Sequence, residues 1–350
     1  MNVTQRPSWR VFAGPLGERP FVGPDLNRPT AVDPSTRRPK LGCPYCPTRG
    51  EPNHSYNQIM PALANYLSLF ALALLTTVAP AVADQLTINH RPGPIHPGHV
   101  VRLVVTAPPA VSTVIATWQE REVVFLRRAD GTWDALIGID VADAPGPRHI
   151  TLSAKQSDGV VLTTTSTLNV EPKAFRTRRI KVDPKFVTPP ASAIARIQEE
   201  AEALNALFLT TSPERLWTAD AVRPVEGVAV SGFGVRTILN GQAGGPHNGL
   251  DLAAPTGTPV YAPAPGIVAY ARDLYYSGNT VILNHGQGLY STMAHLSAMD
   301  VREGDHVAKG ALLGKVGATG RVTGAHLHWG VRLHSARVDP LSLLETLVTP

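Results

Sequence analysis

The chain has 350 residues, enough for about two domains with cores of their own. It is 43% hydrophobic and 17% charged, with 30 Gly and 32 Pro, which excludes a collagen, a long coiled coil and a wholly disordered chain. The net charge of +5 is uneven: residues 1–59 hold eight Lys/Arg against four Asp/Glu, residues 60–83 hold neither, and residues 84–350 hold 24 basic and 23 acidic side chains, so composition makes no case for nucleic-acid binding by the main body.

Residues 1–59 contain ten prolines, little hydrophobic periodicity and no evident core, and are expected to be a disordered or mis-called extension. Both cysteines lie there, as Cys43-Pro44-Tyr45-Cys46. A redox C-x-x-C wants a helix after it, and Pro44, Pro47 and Pro52 argue against one. Residues 60–83 are free of charge, apolar from Leu67 to Leu75, and close with Ala81 and Ala83 at the spacing of a signal-peptidase site. Thr76, Thr77 and Pro80 interrupt the run before it reaches the ~20 apolar residues of a membrane span. The segment therefore reads as a signal peptide with cleavage after Ala83 and translation starting at Met60. The rival reading is a real basic tail ahead of a membrane anchor, so contact with a membrane is expected only if the segment stays uncleaved. The expected location is the periplasm or cell envelope, and the exported chain from Asp84 is free of cysteine.

Residues 84–170 carry short β-type runs, His99–Thr106, Thr113–Trp118, Glu122–Arg127, Trp133–Ile139, His149–Ala154 and Val160–Val170, separated by Pro/Gly turns. Six or seven strands in about 85 residues predict an immunoglobulin-like β-sandwich. His90, His96 and His99 read as ordinary exposed histidines, since Pro92, Pro94 and Pro97 scatter their directions. The sandwich is expected to be a binding or positioning module, with an envelope protein as its partner.

Residues 171–222 read as a linker. It opens on Arg176-Thr177-Arg178-Arg179 and contains a predicted helix, Ser192–Leu209, with Ser192 as N-cap. Ile194, Ile197, Ala201, Leu204, Leu207 and Phe208 form a stripe that should dock on the region that follows.

Residues 223–350 are Gly- and Val-rich, with strands predicted at Thr258–Ala262, Ile267–Ala271, Thr280–Asn284, Leu289–Met293, Ala311–Val316 and His326–Leu333. Seven of the twelve histidines lie here. In a strand, His326 and His328 point to one face about 6–7 Å apart. His247 and Asp251 would sit roughly 13 Å apart in a straight strand, too far for one metal ion. The chain must bend between them, and Asn248-Gly249 is a turn pair. Two imidazoles and one carboxylate make a catalytic zinc set with a fourth position left for water. No H-E-x-x-H supplies a glutamate base, so spare histidines are the natural proton carriers.

The ordered pieces S-G-F-G-x-R (Ser231–Arg236), H-x-G-x-D (His247–Asp251), G-T-P-V-x-A (Gly257–Ala262), G-N-T-V-x-x-x-H-G (Gly278–Gly286), A-H-L (Ala294–Leu296), G-x-x-V-x-x-G (Gly304–Gly310) and T-G-x-x-T-G-x-H-L-H-W (Thr319–Trp329) resemble the lysostaphin/LytM-type zinc endopeptidases. The resemblance covers about Val225–Leu344. It implies an antiparallel β hybrid fold (a duplicated hybrid motif) for residues 223–350, so that the chain as a whole is mainly β. It also implies one Zn2+ per chain on His247, Asp251 and His328, with His295 and His326 as the catalytic, non-ligand histidines. Which of these two is the base stays open. Met293 departs from the aromatic found before A-H-L in many members.

The function implied is an exported zinc metalloendopeptidase that hydrolyses peptide cross-links of peptidoglycan, with stem peptides as its partners. The alternative is a non-catalytic amidase activator or wall-binding module of the same fold, and such members lose zinc ligands that are all present here. A biotinyl- or lipoyl-type carrier is set aside because Lys309 and Lys315 have no carrier-lysine context. His285 is expected in a turn or supporting role and His306 and His334 at the surface. Arg236 is expected either to contact a substrate carboxylate or to pack at the site entrance.

Overall fold

The structure, a computed structural model, describes residues 85–348. The Cys43/Cys46 pair and the signal segment 60–83 lie outside the described residues. Among the described residues, no helix is long and apolar enough to cross a membrane.

Eight strands come first: β1 (Thr87–Arg91), β2 (Val100–Thr106), β3 (Val111–Trp118), β4 (Arg121–Val124), β5 (Leu126–Arg127), β6 (Trp133–Gly138), β7 (Gly146–Gln156) and β8 (Val161–Val170). They form two four-stranded antiparallel sheets, ordered β1-β2-β6-β5 and β4-β3-β7-β8. Alternation along each strand drives the packing: Val101, Leu103 and Val105 of β2 face Val114, Ala116 and Trp118 of β3 and Ile150, Leu152 and Ala154 of β7 in one apolar core.

The connector is more structured than a linker. It holds β9 (Thr177–Ile180) and α1 (Ala191–Leu209). The helix starts one residue before the expected position, and Ser192 does not cap it: Pro190 is the N-cap, with no side-chain cap bond. The predicted stripe docks through its C-terminal half, while Ile194 and Ala201 stay exposed. Phe208 is buried with Ile282 and Tyr290, flanked by Leu204 and Leu207, while Arg196 bonds Asp273 and Glu200 accepts from the Tyr275 amide.

The rest comprises β10 (Val228–Ser231), β11 (Arg236–Leu239), β12 (Gln242–Pro246), β13 (Gly249–Ala253), β14 (Pro259–Tyr261), β15 (Gly266–Leu274), β16 (Gly278–Asn284), β17 (Leu289–Met299), β18 (His306–Val307), β19 (Leu312–Val316), β20 (Leu327–Leu333), β21 (Ala336–Val338) and α2 (Pro340–Val348). Ten of these strands make one antiparallel sheet along the path β10-β13-β20-β17-β16-β15-β18, with β14, β19 and β21 joined at its sides. The other two, β11 and β12, make a three-stranded sheet with β9, in which β9 runs parallel to β11.

The register of β13 on β20 matters most. Leu250 and Leu252 from β13 and Leu327, Trp329 and Val331 from β20 enter the core, and Asp251 stands directly opposite His328. Burying side chains of this kind is worth about 1.5–3 kcal/mol each. A one-residue slip would turn them outward and drive Asp251 and His328 inward, so the apolar pattern fixes the polar pair.

The two β regions are joined closely. Val100 and Leu136 share the second core. The Val100 amide donates to Ser342 Oγ at 3.0 Å, and Arg337 pairs with Asp140 through Nε at 2.9 Å. A Cβ on Gly138 would meet Ala336 Cβ at 2.9 Å, so β6 reaches the second region only because no side chain stands there.

Candidate metal and catalytic site

Three side chains converge at the sheet's edge. His247 Nε2 lies 2.9 Å from Asp251 Oδ1 and 3.0 Å from His328 Nδ1, and His328 Nδ1 lies 2.9 Å from Asp251 Oδ1. The chain does bend between His247 and Asp251, by leaving β12 at Pro246 and entering β13 at Gly249. No left-handed residue is needed there. Gly249 serves a different purpose from the one expected: a Cβ on it would meet the His328 ring at 2.8 Å.

The triangle is near-equilateral, the shape a tetrahedral ion asks of three of its ligands. The hydrogen bonds behind it test whether a cation fits. His247 Nδ1 is 2.8 Å from the Gly232 carbonyl, which can only accept, so the proton sits on Nδ1 and the Nε2 lone pair points at Asp251 Oδ1. Two electron-rich atoms at that distance repel unless a proton or cation lies between them. The donor set therefore fits a divalent metal ion such as zinc.

Burial works against ionisation of Asp251; where His247 or His328 turns a proton toward it in place of a cation, that hydrogen bond and charge outweigh burial and hold the carboxyl well below the usual carboxylate range. Arg178 Nη2 lies 3.7 Å from Asp251 Oδ2. The sequence treats Arg178 as linker charge; its only local signal is the alternation of Thr177–Ile180, too short to read. Burial pushes the His328 imidazole down.

His295 and His326 stand beside the triangle with ring centroids 5.0 Å apart. His326 Nε2 is 3.6 Å from Asp251 Oδ1, so His326 and His328 do face one way, although His326 sits just before β20. His326 Nδ1 donates to the Gly324 carbonyl at 2.8 Å and His295 Nδ1 to that of Thr319 at 2.9 Å. In the neutral form of each ring that donation leaves Nε2 as the nitrogen without a proton. His295 has φ +64°, uncommon for a residue other than glycine, and sits where β17 leaves β20 for β19. That irregularity re-aims its side chain out of the strand's alternation. It is buried, and desolvation followed by the charges of His328 and His326 pushes its pKa down to about 3, so it is neutral at neutral pH.

These groups line a cleft of about 540 Å³. One wall is the β9-β11-β12 sheet, through Arg178, Ile180, Thr237, Leu239 and Gly244; Tyr276, Ser277 and Arg321 also line it. Arg236 is exposed in β11 and is not among the lining residues. His285 is a buried support, with Nδ1 donating to Pro265 O and Nε2 accepting from Ser291 Oγ. His306 is exposed as expected, whereas His334 is buried, 7% exposed, and not at the surface. His96 and His99 are half-buried and meet edge-on at 5.2 Å, where full exposure was expected.

The profile of peptidase family M23 matches residues 245–340, the segment that carries the triangle and both accessory histidines. A solved peptidase M23 structure from Pseudomonas aeruginosa is 34% identical, with TM-score 0.58, over 73% of this chain and 96% of that one. The chain belongs to peptidase family M23. Among curated relatives of this M23 peptidase, the peptidoglycan DD-endopeptidase ShyA of Vibrio cholerae is 46% identical over 96 residues, 27% of the chain and 22% of the relative. The DD-carboxypeptidase/endopeptidase Mpg of Neisseria meningitidis is 43% identical over 104 residues, 30% of the chain and 24% of the relative. The matched segment thus spans about a quarter of the length of these two relatives.

Proposed function

We propose that this M23 peptidase is a zinc-dependent endopeptidase that hydrolyses peptide cross-links of bacterial peptidoglycan in the cell envelope. The observation that carries this reading is the His247–Asp251–His328 triangle with two further imidazoles beside it, each with its Nδ1 held by a backbone carbonyl. Those three side chains would hold one zinc ion. Zinc there would supply Lewis acidity, making water a nucleophile near neutral pH and polarising a peptide carbonyl.

The chain's own groups do the rest. Gly232 O keeps His247 in the tautomer that turns Nε2 to the metal. His295 and His326, tautomer-locked by Thr319 and Gly324, share proton acceptance, proton return to the leaving amine and stabilisation of the oxyanion. The non-catalytic alternative is disfavoured because all five groups are present and aimed at one place.

For the first β region we infer an immunoglobulin-like sandwich that positions the enzyme or meets an envelope partner. Its supports are the sheet orders β1-β2-β6-β5 and β4-β3-β7-β8, which follow the immunoglobulin strand pattern with one added edge strand. Export rests on the sequence of residues 60–83.

The test is digestion of a defined cross-linked muropeptide dimer by the full chain, read by product mass. The expected outcome is cleavage at the cross-link, abolished by chelator and restored by zinc. Intact dimer in the presence of stoichiometric zinc would refute the reading.

A further inference from the structure

Apart from its histidines, the charged side chains of the cleft are Asp251, Arg178 and Arg321. Arg178 is engaged, facing Asp251 and donating from Nε to Thr237 Oγ1 at 3.3 Å. Arg321 is different. Among the described residues no carboxylate lies within ion-pair reach of its guanidinium. Its neighbour is the Tyr276 ring, 4.9 Å from Cζ. The side chain is open to the water of the cleft. The walls around it nonetheless desolvate it enough to push its pKa down from the usual arginine value.

Its place is built rather than incidental. The Arg321 amide donates to Tyr276 O at 2.8 Å, and the Asn279 amide to Thr319 Oγ1 at 3.0 Å. These contacts need glycine on both sides. A Cβ on Gly278 would meet Thr319 Oγ1 at 2.2 Å, and one on Gly320 would meet the Gly278 amide nitrogen at 2.5 Å. The same two segments hold His295: its amide donates to Ser277 O and its Nδ1 to Thr319 O, both at 2.9 Å. At most about 7 Å of backbone separates Thr319 from Arg321. Arg321 therefore stands on the turn that orients His295, and both side chains line the same cleft.

One carboxylate against two guanidiniums, with a divalent ion expected beside it, leaves the cleft positive and attractive to an anionic group. A guanidinium matches a carboxylate through two parallel N–H donors, and a planar carboxylate is the anion a peptide carries.

We propose that Arg321 receives a free carboxylate of the substrate and so selects cross-links that carry one within reach of it in the cleft. This rests on the peptidase reading of the cleft. A cross-link through the side-chain amine of a diamino acid whose second carboxyl group is free has that feature, and a glycine bridge does not.

The test uses the full chain with two cross-linked dimers that differ only at this group, one a free acid and the other its carboxamide. The wild type should cleave the acid dimer with kcat/KM about 10²-fold higher. Arg321→Gln should lose at least tenfold more on the acid dimer than on the amide dimer, and Arg321→Lys should recover part of that loss. Zinc content should be unchanged in both variants. Equal losses on the two dimers would overturn the proposal, because Arg321 would then only brace the loop that holds His295. If the wild type cleaves neither dimer, it is the peptidase reading that fails, and equilibrium binding of the same dimers still decides the role of Arg321. Tighter binding of the acid dimer by the wild type, lost in Arg321→Gln, supports it; equal binding of the two dimers overturns it.

Discussion

The two-sheet region and the ten-stranded sheet bury apolar side chains by the same alternation, yet they use the opposite face differently. In β8 the residues turned away from the core are Thr163, Thr165, Thr167 and Asn169, all left exposed to solvent. In β13 and β20 the residues turned away from the core include Asp251 and His328, and these are covered. The cover is the three-stranded sheet whose first strand, β9, comes from the connector. The lesson is that an outward polar row becomes a reactive site only when a second layer desolvates it and a cross-strand register gathers its ligands. The largest test of that contrast is His328→Ala. It should abolish stoichiometric zinc binding and lower the cross-link cleavage rate by more than the roughly 10²–10⁴-fold of an acid–base group. Full zinc occupancy in the variant, by metal analysis, would mean that the ion is held elsewhere.

His295→Ala and His326→Ala should each retain zinc while kcat falls about 10²–10⁴-fold. Zinc lost from either variant would place that imidazole among the ligands. The contribution of the covering sheet is read from Arg178→Ala. Removing a cation that orients a ligand carboxylate should weaken zinc affinity about 10–100-fold in a competition titration with a chromogenic chelator. Unchanged affinity would reduce β9 to a passive wall.

The two-sheet region should respond in stability instead. Gly138→Val forces a side chain against Ala336 and Val338, and overpacking of this kind costs about 1–3 kcal/mol. Urea unfolding should show the loss, with cleavage per folded molecule kept within about twofold of wild type; a neutral result would mean that the regions separate without penalty.

The smallest effect concerns acid. Burial lowers His285 and His334 from 6.5 to about 4. Between those values the unfolded chain binds more protons than the folded one. Stability is therefore complete above about pH 6.5 and declines as pH falls toward 4, by up to about 1.4 kcal/mol per pH unit for each group. In thermal melts from pH 7 to 4.5 the slope should shrink in His334→Gln. An unchanged slope would show that His334 does not titrate across this interval.

Much of this was legible along the chain. The predicted strands at Thr280–Asn284 and Leu289–Met293 match β16 and the first part of β17, and α1 docks through Leu204, Leu207 and Phe208 as its periodicity requires. Strands β10 to β13 went unread because Gly232, Gly234, Gly241, Gly244 and Gly245 dilute the apolar alternation that marks a strand. His334 reads as surface on hydropathy, yet Gly288 leaves room for its ring, which a Cβ there would meet at 2.7 Å. Arg178 and Arg321 carried no signal, because an arginine's partner is a matter of what lies across a cleft.

The sequence alone determined which atoms could hold a metal and which could carry protons, since imidazole and carboxylate chemistry belongs to the residue type. It also placed His326 and His328 on one face, since a strand's period is two. Tertiary structure decided the rest. His247 and His328 are 81 positions apart, and only the pairing of β13 with β20 brings their nitrogens within 3.0 Å. His295 reaches them through a break in pairing that no local pattern announces. Convergence at this distance is set by register and by the layer above the sheet, and both are fixed by burial of Leu250, Leu252, Leu327 and Trp329 on the other side.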